Sequence, residues 1–310
     1  MNTAAKLSAY GAVLALVAGG AWAAGGAVGP LAVDAAPGGH DGTSGGEDAG
    51  HGDDHGGTVA ETAQDQPAGL ASSRGGYTLT PTDPTPTAGT FSFRVVGPDG
   101  AAVTAFDVEH DQRMHLIAIR RDTSGYRHVH PAMAPDGTWT VPLALTDGGT
   151  YRVFADFTPT GGEALTLGVD VNVPGAFEPR SYTPSRVARV DGYEVRLDGD
   201  LVPGRASPVR LTVSRGGTPV TDLEPYLAAY GHLVALREGD LAYLHVHPEG
   251  APGDGRTSAG PEIGFVAEVP SAGRYRLFLD FRHDGVVRTA EFTVATAGAH
   301  DEGEKEHGHG

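Results

Sequence analysis

The sequence predicts an all-β protein made of two tandem immunoglobulin-like β-sandwich domains that follow an N-terminal signal or anchor helix. Three observations predict this fold class. The 310 residues include 47 glycines and 22 prolines, which separate short β-type runs. No convincing helical periodicity occurs after the N-terminus, and the central part of the chain repeats itself. A chain of this length can form two domains, each with its own core.

The first residues have the composition of an export segment. "MNTAAK" carries a single positive charge, and no charged residue occurs from residue 7 to residue 33. This run exceeds the roughly 20 apolar residues that a membrane-spanning helix needs, while the Ala-Trp-Ala at residues 21–23 resembles a signal cleavage site. Residues 1–33 are therefore predicted to be either a signal-anchor helix, which would hold the chain to the membrane, or a cleaved signal peptide. Both alternatives predict an extracytoplasmic protein, anchored or secreted.

Two segments lack the apolar residues needed to form a core. Residues 34–75 and the C-terminal residues 295–310 consist mainly of glycine, acidic residues and histidine. Such compositions do not offset the entropy of ordering a chain, so both segments are predicted to be disordered. Their histidines favour two interpretations, a solvated tether or a loose collector of metal ions.

Charge and cysteine content restrict the possible partners. The net charge of −17 excludes a nucleic-acid partner, because binding a phosphate backbone needs a basic face. The absence of cysteine rules out disulfides and thiolate metal sites. Imidazole and carboxylate groups remain as the main metal ligands that the chain can offer.

The repeat covers residues 76–173 and 190–294, with a proline-rich linker at 174–189. "HLIAIRRD" at 115–122 matches "HLVALREG" at 232–239, and "YRHVHP" at 126–131 matches "YLHVHP" at 243–248, both at an offset of 117. Each unit contains several short strands separated by turn signals, which is typical of an immunoglobulin-like sandwich; a closed barrel is the alternative. The offset pairs three histidines of the first unit with three of the second. These six candidate metal ligands are His115, His128, His130, His232, His245 and His247.

Strand alternation predicts that each trio shares one face of a sheet. In the second unit, Gly239-Asp240 is a hairpin signal, and the register it implies places His232 opposite His247 with His245 on the same face. In the first unit, any loop with an even number of residues groups the histidines in the same way. Opposed residues have Cβ atoms about 4.5–5.5 Å apart, so the imidazoles could converge on one ion in each unit.

Further candidate ligands accompany the histidines. Asp156 and Asp280 are equivalent positions of the repeat, and either could supply an oxygen ligand. The alternative is an ion pair of each aspartate with the arginine four residues earlier, Arg152 or Arg276. Met114 precedes the first histidine of its unit, but the second unit has no methionine at the equivalent position.

The segment "HLIAIRRDTSGYRHVHP", the His-rich tether and the export segment together resemble bacterial extracytoplasmic copper-handling β-sandwich proteins of the CopC-like and YtkA-like families. That resemblance implies sequestration or delivery of copper at the cell envelope. The chain lacks the Met-rich copper(I) motifs of CopC-like proteins. The His-x-His pair is also similar to that of Cu/Zn superoxide dismutase, but the chain has neither the histidine-rich zinc loop nor the disulfide cysteines of that enzyme.

These observations predict an extracytoplasmic metal-binding protein with one site per repeat, for copper or alternatively zinc, that sequesters, buffers or transfers the ion. Another envelope metal-transport protein is a candidate partner. No catalytic motif is found, so the protein is not expected to be an enzyme. The alternatives are an envelope interaction module with structural histidines and a copper redox enzyme of the superoxide dismutase type.

Overall fold

A computed structural model of the chain describes residues 67–83, 85–86, 89–244 and 246–296. These residues form an all-β structure whose paired strands are antiparallel, and no helix occurs among them. Consequently, none of the described segments is a helix that could cross a membrane. The predicted anchor or signal at 1–33, the linker as far as residue 66 and the tail from residue 297 lie outside the described residues.

The first repeat contains nine of the described strands. They are β1 (Ser73–Arg74), β2 (Tyr77–Pro81), β3 (Thr90–Val96), β4 (His115–Arg120), β5 (Arg127–Val129), β6 (Ala132–Met133), β7 (Trp139–Pro142), β8 (Gly149–Phe157) and β9 (Leu165–Val173).

The second repeat contains ten described strands. They are β10 (Val187–Val190), β11 (Tyr193–Asp198), β12 (Ala206–Arg215), β13 (Thr218–Pro219), β14 (His232–Arg237), β15 (Tyr243–Leu244), β16 (Val246–Pro248), β17 (Glu262–Glu268), β18 (Arg274–His283) and β19 (Val286–Ala295).

Each repeat is a sandwich of two sheets around its own hydrophobic core. The strand orders are β1-β2-β3-β7-β6 and β5-β4-β8-β9 in the first repeat, and β10-β11-β12-β17-β16 and β15-β14-β18-β19 in the second. Strands β2-β3-β7-β6 and β5-β4-β8-β9 have the order of the ABED and C′CFG sheets of an immunoglobulin-like sandwich. The predicted all-β class and the immunoglobulin-like sandwiches are therefore confirmed.

The two sandwiches pack against each other through the sheets that contain β4 and β14. The β4 sequence "HLIAIR" is buried along its whole length, because one face meets the core of its own sandwich and the other meets the second repeat. Ile117 and Ile119 face a third hydrophobic cluster that also contains Val234, Leu236 and Phe278. Strands buried on both faces are nearly continuously apolar, and β4 and β14 have that pattern.

Repeat-equivalent aromatic residues occupy this interface in pairs. Tyr126 of the first repeat stacks on Phe278 of the second, with ring centroids 4.0 Å apart and planes within 2°. Tyr243 of the second repeat lies 5.5 Å from Phe154 of the first, at 50°. The interface thus has an approximate twofold relation in which one pair is stacked and the other is tilted.

The ordered chain begins before the predicted domain boundary at residue 76. Ser73–Arg74 forms β1, and the Arg152 guanidinium donates hydrogen bonds to the carbonyl oxygens of Gly69 and Leu70. A buried guanidinium needs such acceptors, which this segment supplies. At the second repeat, β10 begins at Val187, a few residues before the predicted boundary at 190.

Candidate metal centre

The first repeat brings its three predicted histidines together. Ile117 of β4 pairs with His128 of β5, and eight residues separate the last paired positions, so the loop is even. His115, His128 and His130 therefore share one face. The His115 ring centroid lies 5.4 Å from that of His128 and 5.0 Å from that of His130.

The second repeat does not build an equivalent trio from its described residues. The register is the predicted one, since Ala235 pairs with Leu244, although the loop closing on Arg237 is longer than two residues. However, β15 ends at Leu244, and β16 pairs with β17 in the other sheet, where His247 lies opposite Val266. The prediction that His247 lies opposite His232 is therefore wrong. His245 lies outside the described residues.

Instead, the second repeat contributes to the histidine cluster of the first. The His232 ring stacks on that of His115, with centroids 5.5 Å apart and planes at 9°, and lies 4.8 Å from that of His128. The carboxylate of Asp280 accepts a hydrogen bond from His128 Nδ1 at 2.7 Å. His115, His128, His130, His232 and Asp280 thus form one cluster between the repeats, hereafter the inter-repeat cluster.

Hydrogen bonds to oxygen fix the orientation of two rings in this cluster. The Nε2–H of His115 donates to the carbonyl oxygen of Glu109 at 3.1 Å, and the Nδ1–H of His128 donates to Asp280. An oxygen acceptor on one ring nitrogen assigns the proton to that nitrogen. In neutral rings, the remaining nitrogens, His115 Nδ1 and His128 Nε2, each carry a lone pair and no proton.

These two lone-pair nitrogens face each other. His115 Nδ1 and His128 Nε2 are 3.2 Å apart. In a tetrahedral site whose ligands lie about 2.0–2.1 Å from the metal ion, two ligand atoms are separated by roughly 3.3 Å, which is close to this distance. Two lone pairs at this distance repel unless a proton or a metal ion lies between them. Metal-bound histidines commonly donate their other N–H to a carboxylate or carbonyl, as both rings do here.

Burial makes protonation of three imidazoles of the cluster unfavourable, those of His115, His130 and His232. Desolvation lowers the pKa of His115 to about 4, and the neighbouring His128 and His110 add to this shift. Desolvation together with His128 and His115 lowers the pKa of His130 to about 3, and burial likewise lowers the pKa of His232 well below its ordinary value. The neutral rings are the form that binds metal ions.

Two further nitrogen atoms in the cluster are buried and have no hydrogen-bond partner among the described residues. These atoms are His130 Nε2 and His232 Nδ1. Ligand atoms of His115, His128 and His130 all lie within 4.8 Å of one another, as do those of His128, His232 and Asp280. Buried polar atoms are normally paired, so the unpaired nitrogens are available to coordinate an ion.

The remaining candidate ligands have different surroundings. Asp156 lies opposite His115 in the register of β4 and β8 and accepts a hydrogen bond from Thr166. Met114 packs in the core of the first sandwich and does not join the cluster. The ion-pair alternative for Asp280 is also wrong, because Arg276 pairs with Glu291 and the carboxylate of Asp280 binds His128.

A site shared between the repeats was not predicted from the sequence. One signal pointed to it. "HLIAIR" and "HLVALR" have apolar residues on both faces of the strand, although only one face of each can meet the core of its own sandwich. The other face had to be covered, and the histidine at the start of each strand lies at the edge of that covered surface.

The chain matches the family described as Domain of unknown function (DUF8832) over residues 72–175 and 188–298. The chain belongs to this family. The two matched stretches of DUF8832 correspond to the two sandwiches, and the inter-repeat cluster takes its ligands from both. No curated protein matches the chain.

Several solved structures are similar to this DUF8832 chain at low identity. A putative membrane anchored protein from Corynebacterium diphtheriae is 9% identical with a TM-score of 0.22, covering 72% of this chain and 59% of its own. Invasin, a bacterial integrin-binding protein, is 12% identical with a TM-score of 0.20, and the match covers 70% of this chain and 38% of invasin. The D0-D1 domain of intimin is 13% identical with a TM-score of 0.21, covering 70% and 96%. The chain spans less than two thirds of the first two, and the fold assignment rests on the strand order described above.

Proposed function

We propose that the protein binds one transition-metal ion between its two repeats and sequesters, buffers or transfers that ion outside the cytoplasm. The observation that carries this proposal is the pair of facing lone-pair nitrogens, His115 Nδ1 and His128 Nε2, 3.2 Å apart. The outward N–H of each ring is held by an oxygen acceptor. When both rings are neutral, a metal ion between these nitrogens accounts for an arrangement that would otherwise be repulsive.

The donor atoms favour copper(II), with zinc as the alternative. Imidazole suits both ions, and copper(II) has the highest affinity among the divalent first-row metals. Copper(I) prefers thiolate and thioether ligands, whereas the chain has no cysteine. Met114 and Met133 pack in the core of the first sandwich. The geometry supports one ion shared by the repeats, in place of the one ion per repeat that the sequence predicted.

An extracytoplasmic location is part of the proposal, because the uncharged run at residues 7–33 has the character of an export segment or membrane anchor. A binding protein in that compartment would exchange its ion with another envelope metal-transport protein. The resemblance to copper-handling β-sandwich proteins supports the same role.

The test is a titration of the full chain with copper(II) or zinc(II). The terminal histidines are first replaced by serine, so that loose binding by the tails does not obscure the site. We expect saturation at one ion per chain, and nitrogen hyperfine structure in the copper(II) electron paramagnetic resonance spectrum. His115→Ala and His128→Ala should each abolish tight binding. The replaced positions are His40, His51, His55, His300, His307 and His309.

His283→Gln provides the matched control. His283 is also buried, but it contacts Tyr193 and Asp222 in the second sandwich and lies outside the cluster, so this variant should still bind one ion. Saturation at two ions would restore one site per repeat. The absence of binding in the parent chain would favour an interaction module with structural histidines, and consumption of superoxide by the copper-loaded chain would favour the redox enzyme.

A further inference from the structure

Two equivalent turns border the inter-repeat cluster. In the first repeat, Glu109 and Gln112 form an isolated bridge around His110 and Asp111, whose φ angles are 48° and 63°. Two central residues with positive φ define a type I′ turn. Histidine and aspartate are among the residues other than glycine that adopt this conformation most often, so both residues suit the turn.

The second repeat has the same turn with different side chains. Tyr226 and Ala229 form the bridge, and the central residues Leu227 and Ala228 have φ angles of 54° and 60°. The repeat offset of 117 makes Leu227 the counterpart of His110. Leu227 is only 6% exposed. The backbone of the turn is therefore retained in both repeats, whereas an imidazole in one repeat replaces an apolar side chain in the other.

The two turns contact different members of the cluster. The His110 ring centroid lies 5.8 Å from that of His232 and 6.2 Å from that of His115. In the second turn, the ring of Tyr226 lies 6.4 Å from that of His130. The cluster is therefore bordered by an imidazole near one pair of its rings and by a tyrosine near another ring.

A cleft of about 390 Å³ opens beside the turn that contains His110. Its lining includes His110, His115, His232, His247 and Asp156. Two members of the inter-repeat cluster thus face the cleft, and His247, which the sequence predicted to be a ligand, lies on its wall. The lining also includes the carboxylate of Glu109 and the guanidinium of Arg113, so that with Asp156 it carries two negative charges and one positive charge. This balance, together with the imidazoles, favours a cation.

We propose that this cleft is the route by which the metal ion enters and leaves, and that His110 and His247 bind the ion transiently on the way. This inference rests on the proposed metal-binding function. A hydrated divalent cation exchanges one bound water for an imidazole nitrogen of the cleft. It then exchanges that imidazole and its remaining waters for the nitrogens of the cluster, and the cleft histidine is released unchanged. No electrons are transferred, and the released waters leave through the cleft.

His110 and His247 line the cleft, but neither belongs to the groups of converging ligand atoms found among the described residues. We therefore expect them to bind the ion during its passage and not in the final site. A group that stabilises the ion only during passage lowers the barrier in both directions. Its removal should slow association and dissociation by the same factor and leave the dissociation constant unchanged. A ligand of the final site would instead change the dissociation constant.

The test compares His110→Leu, His247→Gln and the double variant with the parent chain, all with the terminal histidines replaced. Leucine is suitable at position 110 because Leu227 occupies the same backbone conformation in the second repeat. Association of copper(II) or zinc(II) is followed by stopped flow, and dissociation by transfer to a chromophoric chelator. We expect the double variant to slow both rates about tenfold, with a dissociation constant within about twofold of the parent.

Gln112→Ala is the matched control, because Gln112 lines the same cleft and belongs to the same turn. Its rates should equal those of the parent. Unchanged rates in the double variant would overturn the inference, as would a weakened dissociation constant with an unchanged association rate. A parent chain that binds no ion would refute the proposed function itself, which is a distinguishable result.

Discussion

The two repeats carry the same histidines at the same spacing but use them differently. In the first repeat, β5 stays beside β4, so His128 and His130 remain on the face of His115. In the second repeat, the chain leaves β14 after Leu244 and joins β17 in the opposite sheet, which carries His247 to the cleft. Among the described residues, the duplicated motif therefore does not build a second histidine trio.

The difference shows how two equivalent halves form one asymmetric centre. The first repeat supplies three imidazoles, and the second supplies His232 together with the carboxylate that orients His128. The side chains of His128 and Asp280 are only 2% and 3% exposed, so this contact depends on the docking of the two sandwiches. Metal binding and docking of the repeats should therefore reinforce each other.

The largest expected effect is a loss of stability that differs between the two aromatic pairs of the interface. Phe278→Ala should lower the free energy of unfolding by about 3–5 kcal/mol, the usual cost of removing a buried phenylalanine. Phe154→Ala should cost about 0.5–1.5 kcal/mol less, because only Phe278 has a parallel stacked partner. Guanidinium denaturation of the metal-free chain measures both values. Equal costs would show that the stacked and tilted pairs contribute equally.

The next effect concerns the pH dependence of stability and the buried histidines of the first repeat. In the metal-free chain, burial holds the pKa of His115 at about 4 and that of His130 at about 3, below the 6.5 of an unfolded histidine. Between pH 6.5 and 4, the unfolded chain therefore binds more protons than the folded one. As the pH decreases through this range, the free energy of unfolding should therefore decrease, by up to about 1.4 kcal/mol per pH unit for each of these histidines.

Denaturation midpoints from pH 7 to pH 4.5 measure this dependence in the presence of a chelator. His130→Gln should flatten the curve, because it removes one buried imidazole that the folded state keeps neutral. Gln112→Ala should leave the slope as it is, since it removes no titratable group. If both variants gave the same slope, the buried imidazoles of the first repeat would not be the source.

Sequence reasoning predicted the features that depend on local alternation. The all-β class, the register of the second histidine hairpin and the common face of His115, His128 and His130 follow from side-chain alternation and an even loop length. The four-residue turn that closes on Arg237 and Ala242 preserves the register of a two-residue loop because both lengths are even. These features require no knowledge of the rest of the fold.

The features that sequence reasoning missed depend on long-range contacts. The crossing of β16 to the other sheet is set by pairing with Val266, about twenty positions further along the chain. The contact of His128 with Asp280 spans 152 positions and exists only because the sandwiches dock. Alternation within one hairpin contains no information about either, although the apolar character of both faces of β4 and β14 indicated that docking would occur.

The smallest effect tests whether the carboxylate of one repeat orients the imidazole of the other. Asp280→Asn should weaken metal binding about tenfold, the effect typical of losing a carboxylate that supports a histidine ligand. The amide remains able to accept the hydrogen bond but carries no charge to hold the His128 proton on Nδ1.

The repeat-equivalent Asp156→Asn is the matched variant, because Asp156 accepts a hydrogen bond from Thr166 as Asp280 does from Thr289. A chelator competition assay should place Asp156→Asn within about twofold of the parent. Equal losses of metal affinity in the two variants would mean that both aspartates support the ion alike. The two repeats would then differ in their strand pairing but not in the role of this carboxylate.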